Sequence, residues 1–238
     1  MIEQKISSIE FGIHSENGIV KENNEDSGSV ISGKFQFGDS KELISIASVA
    51  DGVGGRPFGE IASRVVVSEF NSSALNYILN HERLDNLETE ITYILKTINS
   101  KLMELAKGEK LGMATTFVGF VSVMNYLVYA SLGDSTLILK RTRTEQITKY
   151  QRDEFTGRLT SCLGVDGLFS LDTGTLYLRK GDILTLMSDG ITDSIPMNRI
   201  NNVLNEKLSS QTHAEKLVNI AMKDGGRDNA TAVVLKYS

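Results

Sequence analysis

Cysteine and proline are scarce in the 238-residue chain: one of the first, Cys162, and two of the second, Pro57 and Pro196. A lone thiol cannot bridge internally, so a disulfide scaffold is excluded and a reducing, cytoplasmic setting is expected. Residues 1–5 carry none of the apolar core of a signal peptide. No apolar run approaches the ~18 residues of a membrane span; the longest, at 115–123 and 184–187, have the length of strands. Three scattered histidines, His14, His81 and His213, offer no zinc site. Lys and Arg form no block, and 25 of them stand against 30 Asp and Glu for a net charge of −5. Nucleic acid and membrane insertion are therefore not expected, although a local basic pocket is allowed. What remains is an ordinary globular composition, 40% apolar and 23% charged, able to bury a core without staples. With no linker and no repeat, residues 1–238 read as a single domain.

Strand-like runs rich in Val, Ile, Leu, Phe and Tyr fall in three groups: 6–14 with 29–49, then 115–141, then 175–187 with 230–237. Two helices lie between the first groups. Ala62, Val66, Phe70, Ala74 and Ile78 recur every four residues; Leu87, Ile91, Ile94, Leu95, Ile98, Leu102 and Leu105 follow the 3.6 period, with Asp85 and Glu88 as a capping pair. A second pair precedes the last strand: Ile200, Val203, Leu204 and Leu208, then Leu217, Val218, Ile220 and Ala221 behind a Thr212 to Glu215 capping box. Clustered strands and two striped helix pairs predict an α+β, four-layer α/β/β/α fold: a central antiparallel β-sandwich flanked by two pairs of helices.

Acidic residues punctuate the strand ends. The run 44–50 enters Asp51-Gly52, 182–188 enters Asp189-Gly190, and Asp228-Asn229 opens the last strand. Glu25-Asp26 precedes the strand at 29–37, and Gly133-Asp134 joins two more. Asp-Gly and Gly-Asp are common turn dipeptides, so each alone carries little. If the last strand runs antiparallel to the other two, however, the carboxylates meet at one end of the sheets, where mutual repulsion demands cations. All-oxygen ligands select hard ions such as Mg²⁺, Mn²⁺ or Ca²⁺. There is no EF-hand loop, Walker loop, G-x-S-x-G elbow or G-x-G-x-x-G after a strand.

Six motifs in order resemble those of the metal-dependent serine/threonine protein phosphatases of type 2C, the PPM family. They are N-N-E-D (23–26), A-D-G-V-G-G with G-E-I-A-S (50–55, 59–63), G-M-A-T-T (112–116), S-L-G-D-S (131–135), S-D-G-I-T-D (188–193) and G-G-R-D-N-A-T (225–231). The resemblance implies two Mn²⁺ or Mg²⁺ ions bridged by Asp51, with the Gly52 carbonyl and Glu25 on one and Asp189 and Asp228 on the other. It implies that Asp26 holds a water, that Asp134 with Asp189 matches a third, weaker metal position, and that Asp193 and Asn229 support the site; a turn or capping role serves Asn229 equally well. The activity implied is hydrolysis of phosphoserine and phosphothreonine on proteins by a water or hydroxide bridging the two ions, opposing a bacterial protein kinase. No phosphoenzyme is needed, and Cys162, outside any Cys-x5-Arg loop, is a bystander.

Three features depart from the family pattern. Lys21 stands where an Arg usually grips the substrate phosphate, which implies looser orientation because lysine lacks the bidentate fork. Val53 stands where some members carry a histidine, leaving water as the acid. The flap, approximately 142–165, is short, with 148–160 leaving room for a loop or one helical turn. Arg152, Arg158 and Arg56 read first as solvated surface residues, with Arg56 kept as a candidate substrate contact. The compact flap also fits the branch acting on regulatory anti-anti-sigma-like proteins. The rival readings are a pseudophosphatase that binds partners without turnover, against which stands the full set Asp51, Asp189 and Asp228, and a phosphatase or nuclease of small molecules or nucleic acid.

Overall fold

The computed structural model describes residues 6–56, 58–81, 84–108 and 112–238; residues 1–5, read above for a leader, lie outside the described residues. Two five-stranded antiparallel sheets are formed. One has the order β2 (Asp26–Phe37), β3 (Ser40–Asp51), β4 (Phe117–Val123), β5 (Tyr126–Leu132), β8 (Asp172–Tyr177). The other has the order β1 (Ile9–Glu16), β10 (Ala230–Tyr237), β9 (Ile183–Met187), β6 (Thr136–Lys140), β7 (Thr144–Gln146). The predicted run 175–187 is therefore divided between the sheets: β8 closes one and β9 joins the centre of the other.

Period-two alternation makes three separate cores from these strands. In β3, Ile44 and Ile46 face one way, with β4's Phe117 and Val121, and pack against Val66, Phe70, Ile91 and Leu95 of α1 (Gly59–Asn80) and α2 (Leu87–Leu105). Ala47 and Val49 face the other way, between the sheets, with Val118, Phe120, Leu137, Leu184, Leu186, Val233 and Leu235. The outer face of β9 and β10, from Met187 to Ala232 and Val234, packs on Ile200, Val203, Leu217 and Val218 of α4 (Met197–Asn205) and α5 (Ser210–Lys223). The four layers are as expected.

The helix ends differ from expectation. Asn86 rather than Asp85 precedes α2, without a side-chain cap, and Leu105 at the far end is exposed. Helix α5 begins before the expected box: the Ser209 hydroxyl accepts from Thr212 N. Local cap signals were displaced in both places, because burying the helix stripe sets the ends more strongly than one cap does. After β9 the chain makes one unpredicted helical turn, α3 (Asp189–Thr192). Among the described residues, no helix is long and apolar enough to cross a membrane.

Candidate active site

The β2–β3 ladder sets Asp26 opposite Asp51 as register partners, so the first residue of one strand meets the last of the other. Asp51 is then fixed through its backbone. Its N–H donates to Thr116 Oγ1 at 3.0 Å, and its carbonyl accepts from Thr116 N and Thr115 Oγ1, both at 2.8 Å. The 112–116 motif thus clamps the strand end and leaves the Asp51 carboxylate to the cleft. Asp26 is buried beneath, accepting from Ser188 Oγ at 2.7 Å, while that same hydroxyl accepts from Thr231 N at 3.0 Å. One serine therefore ties the two sheets together at the site.

Gly52 and Gly59 bring the start of α1 against the end of β3. A Cβ on Gly52 would sit 2.5 Å from the Gly59 carbonyl carbon, and one on Gly59 would sit 2.6 Å from Glu25 Oε1. Only glycine allows this approach. Glu25 donates its N–H to Asn229 Oδ1 at 3.0 Å, and buried Asn229 donates Nδ2 to Asn17 Oδ1 at 2.7 Å and to Asn23 O at 3.1 Å. Asn229 thus fastens the segment that carries Glu25.

Lys21, Asp51, Gly52, Arg56, Asp134, Asp189 and Asp228 line one cleft of about 610 Å³. Asp26 lies under it, Glu25 beside it and Asp193 on its outer side, so the antiparallel arrangement gathers the acidic strand ends as expected. Lys21 Nζ reaches Asp228 Oδ1 at 2.7 Å. Burial alone would lower the Lys21 pKa, but the hydrogen bond it donates to Asp228 and the charges of Asp228, Asp51 and Glu25 raise it.

Burial, reinforced by neighbouring negative charge, pushes the carboxyls up. Asp26 rises to about 6 despite hydrogen bonds from Ser188 and Thr231. Asp51 is held well above the usual range, first by burial and then by Asp26 and Asp189. Asp134 also rises to about 6, burial and the Asp189 charge outweighing the pull of Arg152. Asp189 and Glu25 are raised too, burial leading in both. Such a group is stable when ionised only beside added positive charge.

The donor set fits a hard divalent cation. The candidate ligands are all oxygens, and Asp26 Oδ1, Asp134 Oδ1 and Asp189 Oδ1 are buried without a hydrogen-bond partner. No three acidic, His or Cys side chains among the described residues close on one point as a finished cage would. Two cationic side chains stand among them instead: Lys21 beside Asp228, and Arg152 beside Asp134, Asp189 and Asp193.

The sequence matches the family described as Protein phosphatase 2C over residues 21–230. The chain belongs to the protein phosphatase 2C family. It is similar to the serine/threonine phosphatase stp of Listeria monocytogenes serovar 1/2a, 26% identical over 243 residues and covering 93% of each chain. Its fold is similar to that of the serine/threonine phosphatase Stp1 from Staphylococcus aureus, with a TM-score of 0.82, 24% identity, and 100% of this chain and 98% of that one covered. The serine/threonine phosphatase of S. agalactiae gives the same TM-score, 0.82, at 22% identity over 97% of this chain and 100% of that one. The protein phosphatase 2C family is metal-dependent, in keeping with the all-oxygen cleft.

One reading is overturned. Arg152 is not a solvated surface residue: its side chain is 24% exposed and forms ion pairs with three aspartates. No local signal marks it, because its partners lie 18, 37 and 41 positions away. The supporting roles of Thr115, Thr116 and Ser188 were likewise not foreseen beyond their place in motifs. Between residues 142 and 165 lie the short strand β7 and one turn at 153–157, closed by Gly157 N donating to Asp153 O at 2.9 Å.

Proposed function

We propose that this protein phosphatase 2C chain hydrolyses phosphoserine and phosphothreonine monoesters on proteins, using two Mn²⁺ or Mg²⁺ ions. The observation that carries the reading is the group of Asp26, Asp51 and Asp189, with Asp26 Oδ1 and Asp189 Oδ1 buried and unpartnered, at a cleft lined by Lys21 and Arg56. In this reading Asp51, Gly52, Glu25, Asp189 and Asp228 would hold the ions. When bound, the ions supply charge neutralisation and an acidified water.

The chain's own groups do the rest. Asp26 Oδ1, unpartnered and raised to about 6, orients a water in the cleft and accepts its proton. Lys21 Nζ, paired with Asp228 at 2.7 Å, attracts the phosphoryl oxygens as a point charge. Arg56, which lines the same cleft, meets the phosphoprotein. Val53 carries no proton, so the leaving hydroxyl takes its proton from solvent. Residues 1–238 act as one domain with 142–165 as its flap, in the cytoplasm, opposing a protein kinase.

Phosphate release from a phosphothreonine peptide, with and without Mn²⁺, tests the proposal. Release should require the metal and fall about 10²- to 10³-fold in Asp189→Asn. A folded protein that releases no phosphate with Mn²⁺ or Mg²⁺ would overturn it in favour of a partner-binding pseudophosphatase.

A further inference from the structure

Arg152 has no part in the chemistry just described, yet its placement is built with care. Its Nε donates to Asp134 Oδ2 at 2.6 Å, its Nη2 reaches both Asp134 and Asp189, and its Nη1 donates to Asp193 Oδ2 at 3.1 Å. The neighbouring Gln151 is clamped to the residue before Asp134. Gln151 N donates to Gly133 O at 3.1 Å, Gly133 N donates to Gln151 Oε1 at 2.8 Å, and Gln151 Nε2 donates to Ser170 O at 2.7 Å. On the other side, the Tyr150 ring lies 5.5 Å from the guanidinium carbon, and its hydroxyl donates to Asp193 Oδ1 at 3.1 Å. Three consecutive residues therefore hold one planar cation in one pose.

The Asp134 corner needs positive charge for the same reason as the rest of the cleft: a carboxylate 1% exposed cannot stay ionised unaided. A divalent ion or a guanidinium fork can each meet that need. Both together would place like charges on Asp134 Oδ2, which takes Nε and Nη2 at once, whereas Asp189 meets the guanidinium through Oδ2 alone and keeps its unpartnered Oδ1 for the second ion. We propose that Arg152 is the resident cation of the Asp134 corner, which excludes a metal ion from it and ties the flap to the active centre. The inference rests on the two-ion reading of Asp51, Asp189 and Asp228, to which it adds that no further ion binds at Asp134. Asp134 Oδ1 has no hydrogen-bond partner, so removing the guanidinium would leave both carboxylate oxygens to a cation.

Manganese bound per chain, counted by equilibrium dialysis and elemental analysis at saturating Mn²⁺, tests this without reference to turnover. The unmodified protein should bind two ions, and Asp134→Asn should also bind two. Arg152→Gln should gain a third, and Arg152→Gln combined with Asp134→Asn should return to two. Three ions on the unmodified protein, or two on folded Arg152→Gln, would overturn the inference. If Arg152→Gln does not fold, the first pair decides: a count falling from three to two on Asp134→Asn places an ion at the corner and overturns it. Asp51→Asn separates the two readings. A count that survives Asp51→Asn overturns the two-ion centre, and the role of Arg152 with it; a count that falls while Arg152→Gln stays at two overturns the role of Arg152 alone.

Discussion

Asp26 and Asp51 face each other across the β2–β3 ladder, the first buried and the second lining the cleft, and both have carboxyls raised above their ordinary range. The folded state therefore binds protons more tightly at these positions than the unfolded chain does. Between the unfolded value of 3.8 and the folded value of about 6 for Asp26, stability falls as pH rises. In chelator, thermal melts should thus show Asp26 contributing a loss of stability from pH 4 to pH 6. Asp26→Asn, which keeps an acceptor for Ser188, should flatten that part of the profile. An unchanged slope in the variant would refute the assignment.

Lys21 spends its charge on Asp228 at 2.7 Å while standing at the mouth of the cleft. Lys21→Arg should lower KM for a phosphopeptide several-fold with little change in kcat, because a fork can meet a phosphate bidentately. Lys21→Ala should raise KM about tenfold, the loss of one charge-assisted hydrogen bond of about 1.5 kcal/mol. Steady-state kinetics on the three proteins measure both effects.

Asn229 makes three hydrogen bonds through its side chain, with Glu25 N, Asn17 Oδ1 and Asn23 O. Asn229→Ala should cost about 2 to 3 kcal/mol, since it leaves buried partners unsatisfied. It should also raise the Mn²⁺ concentration for half-maximal activity by loosening Glu25. A melting curve and a metal titration check the two parts separately.

Cys162 is 2% exposed although it borders the cleft, and burial pushes its thiol up to about 11 against a modest pull from Arg56. A thiol so rarely ionised at neutral pH reacts slowly. Iodoacetamide at pH 7.5 should leave phosphate release unchanged over an hour, and Cys162→Ala should retain activity. Rapid inactivation by the reagent that Cys162→Ala abolishes would contradict the bystander role.

The amino-acid sequence by itself determined the layers and the positions of the acidic strand ends. Strand alternation, helix periodicity and turn dipeptides act over a few residues, so Ile44 against Ala47, or Asp51 before Gly52, can be read locally. Helix starts at Asn86 and Ser209 were less legible, because tertiary burial competes with any single cap. Only the tertiary structure decided how the carboxylates are neutralised and held. Ser188 bonds Asp26 across 162 positions, Asn229 bonds Glu25 across 204, and Arg152 reaches Asp189 across 37. Those contacts follow from which strands pair and how the two sheets face each other. Charge pairing falls off steeply with distance and is worth most where water is excluded, so the role of Arg152 exists only once the fold has closed around it.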